Sequence, residues 1–165
     1  MLILDADGLI KLHRASILEE VAQRFQCIIP NAVYDEVVTK GKEHGYVDAE
    51  DIDRIIASEI AVQQVPPGEE LEQLGLGNGE TEALALATQL GSEAIVVTDD
   101  RQFLGMLIGL RIPFLVPAAI LTTMAQEGFI NRLEASEALE RMRPIIPRTQ
   151  YQLALQDLEA LGAQP

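Results

Sequence analysis

The chain opens with an unbroken apolar run, Met1–Leu4, that stops at Asp5, which predicts a short buried strand. Gly8 is expected to allow a turn. Over Ala15–Phe25 the apolar positions Ile17, Leu18, Val21, Ala22 and Phe25 form a helical stripe. Cys27–Ile29 reads as a second strand, stopped by Pro30. The pair Pro30-Asn31 reads as a helix start, with Asn31 as N-cap. Val33, Val37 and Val38 mark the inner face of a helix ending near Gly41. Residues 48–58 are amphipathic, with Ile52, Ile55 and Ile56 at helical spacing. Ile60–Val65 alternates as a strand does, and Pro66-Pro67-Gly68 breaks it.

Residues 74–79 form a glycine-rich loop that opens a helix over Glu80–Leu90, with Gly91 as its C-cap. Ala94–Val97 is the clearest strand, unbroken and partly β-branched. Phe103–Ile108 reads as helix and Pro113–Val116 as strand. Pro117 starts a helix to about Glu127, followed by helical stretches Arg132–Arg143 and Gln150–Leu161. Strands alternate with helices, which predicts an α/β fold with a mainly parallel sheet. The reading is one domain over residues 1–165, with a core of 1–143 and a peripheral C-terminal helix in 144–165. Gly41–Gly45 reads as a mobile loop. No internal repeat is visible.

Composition narrows the function classes. The 165 residues carry 26 acids against 12 Lys and Arg, a formal net charge of −14. That excludes a broad basic surface for unaided nucleic-acid binding. One cysteine, Cys27, excludes an internal disulfide and reads as a small core residue. Asp5 and Asp7 interrupt the first apolar run, so no signal peptide is read, and no apolar run is long enough to span a membrane. The expected compartment is the cytoplasm. Eleven acids fall in residues 43–82, opposed only by Arg54, and most of them read as a solvated face.

A few acids read differently. In open α/β sheets, sites form at the carboxyl ends of strands. Asp5-Ala6-Asp7 follows the first strand and Asp99-Asp100 the clearest one. Glu36 lies on the helix after Pro30, and Glu80 and Glu82 lie in the first turn of the helix after the glycine loop. Acids near a helix start are also a plain stability device. If Asp5, Glu36, Glu82 and Asp100 converge, each close pair repels by about 4 kcal/mol at 4 Å in a surface-like dielectric. Such a cluster raises its pKa values or holds a cation. Oxygen-only ligands favour Mg2+ or Mn2+, with which phosphodiester hydrolysis becomes accessible.

Four segments, in order, resemble the PIN-domain ribonucleases, the family of VapC-like toxins. They are Ile3-Leu4-Asp5-Ala6-Asp7, Pro30–Val37 with its glutamate, Gly79–Ala87, and Val97-Thr98-Asp99-Asp100-Arg101-Gln102-Phe103. The resemblance covers about residues 1–140. It implies a three-layer fold with helices on both faces of the sheet and a divalent-metal-dependent endoribonuclease. It assigns the metal and catalysis to Asp5, Glu36, Glu82 and Asp100. Asp7 and Asp99 are reserve ligands, and Glu80 is a supporting or helix-start acid. Position 7 departs from the family, which usually has Ser, Thr or Asn there. The resemblance further implies an RNA substrate, a homodimer and, for a toxin, a small antitoxin partner.

Two other readings stand beside it. Asp5-Ala6-Asp7-Gly8 also resembles the first motif of haloacid-dehalogenase-like phosphatases, with Asp5 as nucleophile and Asp7 as general acid. That chemistry needs a lysine between the acid motifs, and residues 43–100 contain none; Lys11, Lys40 and Lys42 are the only lysines. The third reading is a PIN fold used only as a binding module. His13 and His44 match no metal pattern and read as surface or loop residues. The glycine loop lacks the Lys-Ser/Thr of a P-loop. Lys11, Arg14, Arg101, Arg111, Arg141 and Arg143 read as solvated or capping side chains.

Overall fold

The computed structural model describes residues 1–162. At its centre lies β1 (Leu2–Leu4), followed by α1 (Ala6–Arg14) and α2 (Leu18–Arg24). Next come β2 (Cys27–Pro30), α3 (Asn31–Tyr34), a π-helical stretch (Asp35–Thr39), α4 (Lys40–Glu43), α5 (Asp48–Glu59) and β3 (Ile60–Gln63). The chain then forms α6 (Glu69–Glu72), α7 (Asn78–Leu90), β4 (Ile95–Val97), α8 (Arg101–Leu110) and β5 (Phe114–Leu115). It ends with α9 (Pro117–Gln126), α10 (Arg132–Met142) and α11 (Arg148–Leu161).

The five strands pair in parallel in the order β3-β2-β1-β4-β5. Successive residues of a strand face opposite sides. Leu2 and Leu4 therefore join one core with Cys27, Ile29, Ile60 and Val97, covered by α1, α2, α5, α9, α10 and α11. Ile3, Ile28 and Val96 join the other, covered by α7 and α8. This is the expected three-layer α/β arrangement. The order reverses at β1, whose neighbours are β2 and β4. A crevice opens at such a switch point, beyond the strands' carboxyl ends. Asp5 and Thr98 lie at that point, because Leu4 pairs with Val97 in register.

Several local expectations are corrected. Gly8 makes no turn; it lies inside α1, and a Cβ there would stand 2.5 Å from the Val97 carbonyl oxygen. Glycine is required by the close approach of α1 to β4. The stripe read over 15–25 is shorter as helix, because Ser16 takes a left-handed φ of 58° that separates α1 from α2. Pro30 belongs to β2, and Asn31 is the first residue of α3, where its amide donates to Asp35 instead of capping. The helical run ends near Gly41 as expected, but two residues later, at Glu43, so Gly41–Gly45 is not simply a loop. Gly41 is buried in α4, where a Cβ would meet that of Ala49 at 3.0 Å. The chain turns afterwards, at Gly45 with φ 72°. The single turn α6 was not foreseen, and α7 starts two residues before the expected Glu80. Cys27 is buried in the core, as expected, and burial pushes its thiol up to about 12. In the last segment, α11 packs on α9 and α10 and buries Ala154 and Leu158.

Candidate active site

Asp5 leaves β1 and caps α1. Its Oδ1 accepts a hydrogen bond from the Gly8 amide at 2.6 Å, which satisfies one of the free N–H groups of the first turn. The side chain is only 3% exposed. Burial pushes its carboxyl up to about 7, against the Thr98 hydroxyl and the Gly8 amide, which favour the charged form; Asp7 and Asp99 add to the rise. Asp100 repeats the device on β4: it caps α8 by accepting from the Phe103 amide at 2.8 Å. Its own amide donates to Thr98 Oγ1 at 3.1 Å. Thr98, fully buried, thus touches both acids and sets the end of β4 against the end of β1.

Glu36 comes from the π-helical stretch, and its side chain is exposed. Wide π turns inside helices often occur at functional sites. The start of α7 packs close to it: a Cβ on Gly79 would lie 3.0 Å from Val33 Cγ2 and 3.5 Å from Glu36 Oε2. Gly79 therefore lets two helices meet at the cleft. Glu80 turns back to accept from the Gly77 amide at 3.0 Å. Burial raises its pKa, and the charges of Asp100, Glu36 and Asp7 raise it further.

These elements enclose a cleft of about 340 Å3 lined by Asp5, Ala6, Asp7, Glu36, Gly77, Gly79, Glu80 and Asp100. Five of the eight are carboxylates and none is a cation. Of the residues singled out in the sequence, Asp5, Asp7, Glu36, Glu80 and Asp100 are brought together here. Glu82 is not among the lining residues: it accepts from the Ala32 amide at 2.9 Å, between α7 and α3. Asp99 is not among them either, and its carboxylate is held by Lys11. A cavity of about 390 Å3 near Arg143 and Arg148 is lined by no carboxylate.

Among the described residues, no three His, Cys, Asp or Glu side chains are already set to enclose a metal ion. The chemistry of the donor set nonetheless fits one class of cation. It is oxygen-only and without a lining counter-ion, which suits Mg2+ or Mn2+ and not Zn2+.

A family model described as a PIN domain matches residues 1–160. The chain belongs to the PIN-domain family. PIN domains are generally nucleases and typically use divalent metal ions. No curated protein and no solved structure matches this PIN chain. Among its described residues no helix is long and apolar enough to cross a membrane.

Some features of this PIN domain were hidden from its sequence reading. Glu80 was read as a supporting or helix-start acid; it both serves the helix start and lines the cleft. The spacing Gly77-x-x-Glu80 is that of a capping box and is the signal that locates it. Lys11 was read as solvated or capping, yet its side chain is only 14% exposed and pairs with Asp99. His13 was read as a surface or loop residue. It lies in α1, 15% exposed in its side chain, and bonds Asp51 of α5 at 2.8 Å. Arg141 does cap: it donates to the Ala15 carbonyl at 2.9 Å, at the end of α1.

Proposed function

We propose that this PIN domain is a divalent-metal-dependent endoribonuclease. The observation that carries the reading is the cleft itself: five carboxylates and no cation among its lining residues, at the switch point of a parallel sheet. Asp5, Glu36, Glu80 and Asp100 hold Mg2+ or Mn2+ in this reading. Glu82, assigned to the metal by resemblance, instead ties α7 to α3 and so holds Glu36 and Glu80 on facing sides. When bound, the cation supplies Lewis acidity to the phosphodiester and lowers the pKa of water at the site.

The chain's own groups do the rest. The Thr98 hydroxyl favours the charged form of Asp5 and accepts from the Asp100 amide, so it serves both acids. Glu36 and Glu80 have long side chains that can turn towards a cation, Glu80 by giving up its bond to the Gly77 amide. The fixed pair Asp5 and Asp100 supplies the rigid half of the site. The net charge of −14 then ceases to oppose RNA, because a cation bridges carboxylate to phosphate. The same reading extends to a VapC-like toxin acting in the cytoplasm as a homodimer, paired with a small antitoxin that carries a basic segment.

The test is cleavage of mixed RNAs with Mg2+, Mn2+ or EDTA, beside Asp5→Asn. Cleavage that needs the metal and fails in the variant supports the reading. Cleavage that survives both EDTA and the substitution would falsify it. Phosphate release from phosphomonoesters with RNA untouched favours the phosphatase chemistry of Asp5 and Asp7. Neither activity, with tight binding of a protein partner, favours a binding module.

A further inference from the structure

Lys11 is the one lysine drawn into the fold; Lys40 and Lys42 are exposed. It stands one helical turn after Asp7 on α1, and its ammonium donates to Asp7 Oδ2 at 3.2 Å. The same ammonium also donates to Asp99 Oδ1, joining α1 to the end of β4. The Asp99 side chain is 1% exposed, and its second oxygen, Oδ2, has no hydrogen-bond partner. Burying a lone carboxylate is costly, and one cation within bonding distance is what makes it tolerable. The close approach allowed by Gly8 brings α1, and with it Lys11, within reach of the end of β4.

Of the two acids held by Lys11, Asp7 itself lines the cleft, two positions after Asp5, and Asp99 directly precedes the lining residue Asp100. Six acids therefore meet at one end of the sheet, more than one divalent cation can compensate. We propose that Lys11 is the internal counter-ion of the cleft, a positioning residue that ties up Asp7 and Asp99 and leaves Asp5, Glu36, Glu80 and Asp100 for the metal. The inference rests on the metal-dependent reading above. A fixed ammonium at that spot also repels a metal ion from the Asp7 side of the cleft.

The test is direct Mn2+ binding to the full metal-free chain, followed by electron paramagnetic resonance, without RNA. Lys11→Met should bind an additional Mn2+ ion, or the same ion roughly tenfold tighter, because a neighbouring positive charge is gone and a carboxylate is freed. Lys11→Met with Asp7→Asn should return to the parent behaviour, and Lys11→Arg should leave it unchanged. If Lys11→Met does not fold, adding Asp99→Asn removes the orphaned buried carboxylate, keeps Asp7 free and keeps the expected tightening. Unchanged affinity and stoichiometry, with only a lower melting temperature, overturns the inference and leaves the metal reading intact. Absence of Mn2+ binding by parent and variants alike overturns both.

Discussion

The Glu82 carboxylate accepts a hydrogen bond from the Ala32 amide at 2.9 Å, joining the second turn of α7 to the first turn of α3. Ala32 N–H is one of the amides at a helix start that lack an intrahelical partner, and Pro30 offers no side-chain cap. Glu82→Gln is therefore expected to lower stability by about 1 kcal/mol, the difference between a charged and a neutral acceptor on the same amide. Mn2+ binding should survive. Glu80→Gln should do the reverse, with metal binding weakened and stability nearly kept, because relief from the charges of Asp100, Glu36 and Asp7 offsets the weaker bond to the Gly77 amide. Denaturant midpoints and metal titrations of the two variants check this. Loss of metal binding in Glu82→Gln alone reverses the assignment.

Asp5 makes the metal-free protein sensitive to pH. Its carboxyl titrates at about 7 in the fold, raised from 3.8. The fold therefore holds a proton that the unfolded chain has already lost between these values. The stability this group gives is fully present below about pH 4 and is lost as pH rises towards 7, by at most about 4 kcal/mol. Glu80, also raised, acts in the same direction. Urea midpoints in EDTA should be higher at pH 5 than at pH 8, and Asp5→Asn should flatten the difference. Equal slopes in both proteins refute this prediction.

Gly8 has no substitute. A Cβ at that position would stand 2.5 Å from the Val97 carbonyl oxygen and 3.0 Å from Asp5 Oδ1. Neither backbone can give way without opening the contact between α1 and β4. Gly8→Ala is expected to cost roughly 2–4 kcal/mol despite the better helix propensity of alanine, because overpacking against backbone outweighs it. Thermal unfolding measures this, and a melting temperature equal to or above the parent's contradicts it.

Thr98 tests the link between the two strand-end acids. Thr98→Val keeps the shape and removes the hydroxyl, so Asp5 loses a donor that favours its charged form and Asp100 N–H loses an acceptor. The Asp5 pKa should rise above its parent value, by about a unit, as expected for one lost hydrogen bond. Thr98→Ser should restore it. Carbon-13 titration of the carboxyl group reads the shift.

The layout of the sheet was legible because β1 and β4 are buried on both faces and read as unbroken apolar runs. The residues of the cleft were legible only in part. Glu80 and Glu82 are two residues apart on one helix, about 200° around its axis, so they face different ways. Composition cannot choose between them; the position of α3 decides, and that is a tertiary fact. Gly8 and Gly41 were misread for a related reason. Local rules assign glycine to turns, whereas both serve close packing against a distant backbone or side chain. Lys11 finds Asp99 from 88 positions away. No local pattern carries such a pairing, because it depends on β1 and β4 lying side by side.

That adjacency has a consequence for the protein's synthesis. Asp5, Glu36, Glu80 and Asp100 sit on four separate segments, and β4 completes the cleft only when it docks beside β1. A chain still emerging from the ribosome carries the first acids long before it carries the last. Chains that lack β4 therefore lack the assembled cleft, and any chemistry of the cleft waits until β4 has docked beside β1.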